Sequence, residues 1–156
     1  MTDGETRALA AAEALGLRFE VVRHGPVRSL EEAASARGVT PAQVVKTMVV
    51  RVADGDYRFV LVPGGREIDW PKLRAHLGVR RLSLPDQEEA REATGYERGA
   101  ITPFGATNAW PVIADASVAV LDRVAIGGGA RGVNVHLASR DLVGAANAVV
   151  ADVTKG

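Results

Sequence analysis

The chain contains no cysteine. That absence removes disulfides, iron–sulfur clusters, thiolate zinc sites and a cysteine nucleophile, and it leaves the redox compartment unspecified. Net charge is missing as well. Nineteen basic residues meet 19 acidic ones, for a formal charge of +0, so no broad electrostatic field exists to grip DNA or RNA, and any nucleic-acid contact must be local. No run approaches the ~20 apolar residues of a membrane-spanning helix. The opening Met1-Thr2-Asp3-Gly4-Glu5 is acidic, unlike a secretory signal. A soluble protein of the cytoplasm, without membrane association, is the expectation. The three histidines, His24, His76 and His136, fall in unrelated stretches with no His-x-x-x-His spacing and no clustered carboxylates, so neither a metal site nor a cofactor is expected. A Gly-x-Ser-x-Gly elbow is also absent, which leaves a serine triad unsupported.

At 156 residues the chain is sized for one domain spanning 1–156. Ala8, Leu9, Ala12 and Leu15 recur at helical spacing before Gly16. Phe19, Val21 and Val22 read as a strand ended by Gly25-Pro26. Ser29 followed by Glu32 forms a capping box for a helix that stops at Gly38. Val44 to Val52 and Tyr57 to Val62 flank Asp54-Gly55 as a hairpin, and the apolar first strand is expected at the centre of a sheet. Asp69 caps a helix carrying Trp70, Leu73 and Leu77 up to Gly78, Arg80 to Leu84 reads as a short strand, and Pro85-Asp86 opens an acidic helix ending at Thr94-Gly95. Glycine, proline and asparagine dominate from Tyr96 to Pro111, a loop long enough to be functional. Val112 to Ala114, Val118 to Leu121, Val124 to Ile126 and the alternating Val133, Val135 and Leu137 read as strands, with Ser139 capping a last helix. Helices interspersed among strands, several joined as hairpins, predict an α/β or α+β domain on one mixed sheet.

Three features can carry chemistry. Lys46 is one of three lysines against sixteen arginines and lies in the least polar run of the chain. If it is inside, its ammonium needs an anion or must lose basicity; the alternative is a stem that packs while the amine reaches out at a strand end. The second is the Thr94 to Gly105 loop, whose glycines and Pro103 fix an irregular backbone able to present N–H groups to a carbonyl or a developing oxyanion. The third is Gly127-Gly128-Gly129-Ala130-Arg131-Gly132, which permits close backbone approach to a ligand. It is no phosphate-binding loop, since no Gly-Lys-Ser or Gly-Lys-Thr ends it. Asp115 ends an apolar strand and can either receive a ligand hydroxyl or cap the following turn.

In this order, those segments resemble the YbaK family of aminoacyl-tRNA deacylases, relatives of the editing domain inserted in bacterial prolyl-tRNA synthetases. The resemblance rests on Val44-Val45-Lys46-Thr47, the Gly-x-x-x-Pro at Gly99 and Pro103, the strand ending in Asp115, Gly128 to Gly132 leading to Asp141-Leu142, and His24-Gly25-Pro26 for the family's His-x-Pro. It implies a mixed, strongly curved, barrel-like sheet wrapped by helices, with a pocket for the aminoacylated 3′ adenosine of a mischarged tRNA. Amides around Gly99, Ala100, Ile101 and Thr102 would polarise the ester, and Lys46 would hold the terminal phosphate or ribose. Thr47, His24, Pro103, Asp115 and Arg131 would contact substrate, and Gly127, Gly128 and Gly129 would line the amino-acid pocket. An aminoacyl ester is already activated, so orientation of water and oxyanion stabilisation suffice without a protein nucleophile.

Some positions depart from the family pattern. Val22 stands where Cys-tRNA(Pro) deacylases commonly carry tyrosine, Gly127 and Ala130 replace a serine and a lysine, and Ala100 and Thr102 replace a glycine and a serine. The resemblance therefore implies trans-editing of mischarged tRNA, most naturally tRNA(Pro) carrying cysteine or another small amino acid, with alanine, serine and threonine open. A prolyl-tRNA synthetase or an elongation factor would assist tRNA selection. A pocket that binds a nucleotide or the tRNA 3′ end without hydrolysis is the alternative.

Overall fold

Thr2 accepts the Glu5 N–H at 3.2 Å and so starts a helix, α1 (Asp3–Ala14), in the computed structural model, which describes residues 2–156. The same device recurs. Ser29 accepts from Glu32 N–H at the head of α2 (Leu30–Arg37), Asp69 from Lys72 N–H at α3 (Trp70–Leu77), and Asp86 from Glu89 N–H at α4 (Gln87–Thr94). Gly38, Gly78 and Gly95 end these three helices in the left-handed region, where a side chain would be strained.

The strands form three sheets. A mixed sheet runs β2 (Val45–Ala53), β3 (Asp56–Pro63), β5 (Val112–Asp115) and β8 (Val149–Ala151), in which β2 and β3 are antiparallel and the other pairs parallel. An antiparallel sheet runs β1 (Glu20–Arg23), β7 (Val133–Ala138) and β6 (Arg123–Gly127), and β4 (Glu67–Ile68) pairs with β9 (Thr154–Lys155). A parallel bridge, Val44 to Ala125, joins the free edge of β2 to β6. The arrangement is mixed α/β, without closure into a barrel.

Alternation along each strand divides the core in two. Val45, Val49, Phe59, Leu61 and Ala114 face Val124, Ile126, Val135 and Leu137 across the main cluster. Val50, Val60, Val62 and Ile113 face Leu73 of α3, with Ile68 and Val153, on the other side. Each fully buried aliphatic side chain contributes about 1.5–3 kcal/mol.

Four expectations change. The expected central strand, β2, lies at the sheet edge; β3 is the strand buried on both faces. Residues 118–121 are not a strand, because the Asp115 carboxylate accepts from Ser117 and turns the chain into α5 (Ala116–Ala119). Within 80–84 only Ser83 pairs, with Arg51. Ser139 does not cap α6 (Ser139–Ala145); it is the first helical residue, and its hydroxyl donates to the Val118 carbonyl at 2.6 Å. The short strands β4, β8 and β9 have no counterpart in the sequence reading. Among the described residues no helix is long and apolar enough to cross a membrane.

Candidate active site

Lys46 differs from both of its neighbours. Val45 and Thr47 turn into the main core side at 2% and 8% exposure, so Lys46 projects from the opposite face, where it is exposed. The amine is therefore outside, the second of the two alternatives open from sequence. Among the described residues no carboxylate lies within ion-pair distance of it. The Val44–Ala125 bridge is parallel, and carrying its register two residues further brings Lys46 level with Gly127, on the same face, one strand away.

The 99–102 loop lies over that face of Gly127. A Cβ at Gly127 would sit 2.7 Å from the Ile101 carbonyl oxygen and 3.3 Å from that of Ala100. The Ala100 carbonyl also accepts from Gly129 N–H at 3.1 Å, and the Arg98 carbonyl accepts from Arg131 Nε at 3.3 Å. Two consecutive loop carbonyls thus point at the glycine run. In trans peptides the following N–H groups, those of Ile101 and Thr102, point away from it. Among the described residues the N–H groups of Gly99, Ile101 and Thr102 have no protein acceptor, whereas Ala100 N–H closes a turn on the Glu97 carbonyl at 2.9 Å. Of the four amides nominated from sequence, three lack a protein acceptor among the described residues, and of these Thr102 is fully buried.

The glycine run is a junction of backbones. A Cβ at Gly128 would meet Val133 at 2.8 Å, and one at Gly129, φ +86, would meet the Gly4 carbonyl oxygen of α1 at 2.2 Å. The Cβ sides of these two glycines face protein, not an open amino-acid pocket. Gly132 is as tight against the His24 carbonyl oxygen, at 2.4 Å, which brings His24 beside Arg131. His24 Nδ1 lies 2.7 Å from the Gly25 carbonyl and so donates to it, leaving Nε2 to accept from Arg37 Nε at 3.4 Å.

Other nominated residues stand apart. The Thr47 hydroxyl is buried, with no partner among the described residues, on the side of the strand away from Lys46. Pro103 lines an apolar cavity of about 530 Å³ with Leu15, Phe104, Trp110 and Val149. Asp115, 2% exposed, accepts from Val153 N–H at 2.9 Å, Ser117 N–H at 3.0 Å and the Ser117 hydroxyl. Burial pushes this carboxyl up, but the hydrogen bonds from Ser117, Val153 and Thr154 outweigh it and hold it below the ordinary carboxylate value. Its oxygens are engaged by the fold, and it caps α5. Among the described residues no three histidine or carboxylate side chains gather to hold a metal ion.

The loop's anchors escaped the sequence reading. Arg7 of α1 donates to the carbonyls of Gly95 at 2.7 Å and Gly105 at 3.3 Å, and its guanidinium stands over the Tyr96 ring. Tyr96 OH donates to the Phe104 carbonyl at 2.6 Å, closing the loop across its base. Trp110 Nε1 ties the far end to the Ala93 carbonyl at 2.8 Å. No spacing in α1 marks Arg7.

A family profile described as aminoacyl-tRNA editing domain matches residues 24–145, a span that includes His24, Lys46, the loop and the glycine run. The chain belongs to the aminoacyl-tRNA editing domain family. This editing domain is 35% identical over 109 residues to the proline–tRNA ligase of Thermosipho melanesiensis and 34% identical over 110 residues to that of Kosmotoga olearia. In each case 70% of the chain is covered but only 19% of the ligase, so the chain spans about a fifth of these relatives. A crystal structure of a candidate trans-editing enzyme for prolyl tRNA synthetase superposes with a TM-score of 0.91 at 28% identity, covering 100% of this chain and 99% of that one.

Proposed function

We propose that this editing domain hydrolyses the ester joining an amino acid to the 3′ adenosine of a mischarged tRNA, in trans, with tRNA(Pro) bearing cysteine or another small amino acid as the substrate. The observation that carries the reading is an exposed Lys46 amine, without an ion pair among the described residues, on the same face as a loop whose Gly99 and Ile101 N–H groups lack protein acceptors there. Its membership of the editing family and its likeness to the ligases and the trans-editing structure support the same substrate.

The chemistry needs no protein nucleophile. Water adds to the ester carbonyl carbon, and the oxygen that gains charge is received by the acceptorless loop amides. Collapse breaks the bond to the ribose oxygen, which takes up a proton as the amino acid leaves. One such donor contributes about 10²–10³ in rate in other enzymes. Lys46 offers a compact positive charge to the terminal phosphate or ribose, and Arg131, whose Nε donates to the Arg98 carbonyl, stands at the start of the loop. Absence of net charge limits how many phosphates the protein can grip, so a prolyl-tRNA synthetase or elongation factor assists tRNA selection.

The deciding experiment incubates purified protein with tRNAs charged with cysteine, alanine, serine, threonine and proline. Release of one small amino acid at a rate above the uncatalysed ester supports the reading and names the substrate. A second reading, a 3′-end binding module without hydrolysis, draws on Gly127 and Ala130, which replace a hydroxyl and an amine. Release of nothing from any charged tRNA, with tRNA still bound, would establish that reading instead.

A further inference from the structure

In a chain with no net charge, the charges are not evenly spread. Between Asp69 and Asp86 lie four basic residues, Lys72, Arg74, Arg80 and Arg81, and no acidic one. Lys72 is neutralised by Asp152 at 3.0 Å. Among the described residues the other three carry no ion pair. The fold then gathers them. Gly78, in the left-handed region, ends α3 just after Arg74 and turns the chain back, and Ser83 pairs with Arg51 through both backbone bonds, at 2.8 and 3.2 Å. The outcome is a cleft of about 460 Å³ lined by Arg51, Arg74, Arg80 and Arg81, together with Ser83 and Asp54. Arg51 is partly satisfied, by Glu89 at 3.6 Å and Asp54 at 3.8 Å. Three guanidinium groups are left with fixed planar donor forks and no anion, an arrangement suited to phosphate oxygens.

Position relates this cleft to the candidate active site. Both lie along the free edge of β2: the Val44–Ala125 bridge marks one end and the Arg51–Ser83 bridge the other. Lys46 and Arg51 stand five positions apart, about 17 Å at the rise of an extended strand, and project from opposite faces; α3, which carries Arg74, packs through Leu73 against Val50 on the face that carries Lys46. An RNA strand whose terminal nucleotide rests at Lys46 crosses that distance within a few nucleotides. We infer that the arginine cleft of Arg74, Arg80 and Arg81 is a second RNA contact that holds backbone phosphates of the tRNA acceptor arm. The inference rests on the proposed tRNA substrate, but its test does not need hydrolysis.

The experiment compares the full wild-type chain with an Arg80→Gln/Arg81→Gln variant for binding of uncharged tRNA(Pro) transcript across 50–200 mM salt. Both side chains are exposed, so the fold should persist, and an unchanged melting temperature checks it. Loss of two phosphate contacts should weaken binding about tenfold or more at low salt and reduce the slope of log K against log salt by about 1.4–1.8. Arg80→Lys/Arg81→Lys should restore most of both. Hydrolysis of a 3′-aminoacylated adenosine, a single nucleoside that cannot span the distance to the cleft, should be unchanged. Unaltered tRNA affinity and slope in the variant overturns the inference, as does an equal loss on the nucleoside. If the substitutions weaken binding to prolyl-tRNA synthetase alone and spare RNA, the cleft is a protein surface and the inference also fails. A protein that releases no amino acid but shows the affinity and slope changes loses the hydrolytic reading and keeps this contact.

Discussion

Arg7 stands 4.9 Å from the centroid of the Tyr96 ring while its guanidinium donates to carbonyls on both sides of the loop, Gly95 and Gly105. A cation over an aromatic face, with two charge-assisted hydrogen bonds, fixes where the loop begins and ends. Arg7 touches no proposed substrate atom, so it is a positioning residue. Arg7→Met should lower kcat for deacylation by about 10²-fold, the effect of misplacing reacting groups by ~1 Å, with a smaller change in KM. Hydrogen exchange across 96–106 should accelerate in the same variant. Unchanged exchange together with unchanged kcat would show that the loop holds its shape without α1.

Gly127 and Gly99 are needed for different reasons, and substitution should separate them. At Gly127 an added methyl would press on the Ile101 carbonyl at 2.7 Å, so Gly127→Ala must push the loop away from β6. At Gly99 the nearest atoms, on Arg131, are 4.0 Å off, but φ is +88. Gly99→Ala therefore meets backbone strain of about 1–2 kcal/mol without crowding. Deacylation should fall steeply in Gly127→Ala and modestly in Gly99→Ala, while Gly99→Val, bulkier beside the loop amides, should abolish it. Chemical denaturation and turnover measured on the three variants check the order.

Asp115 carries a pH signature. Its carboxyl is held below its ordinary value of 3.8 in the folded protein. Stability from this depression is fully present above the unfolded value and is lost as pH falls through the folded one. Asp115→Asn should therefore be destabilised relative to wild type at pH 6, by about 1–3 kcal/mol for the lost charge-assisted bonds. The gap should close in acid below pH 4. Urea titrations of both proteins from pH 2 to 7 measure it, and a gap that persists into acid would assign the loss to shape and not to charge.

His136 acts in the same direction at a higher pH. It is 4% exposed, its Nε2 has no partner, and burial, aided by Arg123 and Arg37 and opposed by Glu20, pushes its pKa below the ordinary 6.5. The unfolded chain takes up a proton near 6.5 that the folded one refuses until lower pH. Stability from this group is thus complete above about 6.5 and declines as pH falls below that value. Wild-type melting temperature should drop between pH 7 and 5, and His136→Gln should flatten that part of the profile. Parallel curves for the two proteins would contradict the assignment.

Local rules made much of this fold legible. Ser29, Asp69 and Asp86 cap helices that Gly38, Gly78 and Gly95 end, and the hairpin turns at Asp54-Gly55, because each signal is a short-range hydrogen bond or a backbone preference. Tertiary pairing was not legible. The strand β8 is held by parallel pairing with β5, and its Val149 and Val150 are 55% and 45% exposed, so no burial pattern announces it. Val118 to Leu121 have strand composition, but the Asp115 cap imposes a helical turn first. At the site, Lys46, Gly99 and the glycine run stood out by rarity and composition. Gly129 packs on Gly4, and Arg7 reaches Gly105, across more than ninety residues of chain, and no sequence spacing encodes such contacts.

Lys46 offers the most direct test. Its side chain is exposed and, among the described residues, makes no ion pair, so Lys46→Ala removes no buried contact and should leave the melting temperature within about 1–2 °C of wild type, as for surface substitutions. Measured on the charged tRNA that the wild-type protein hydrolyses, kcat/KM of the variant should fall at least ~10²-fold, the scale of losing a positioned charge contact. Wild-type kcat/KM in a folded Lys46→Ala protein would remove the amine from the site and contradict the account.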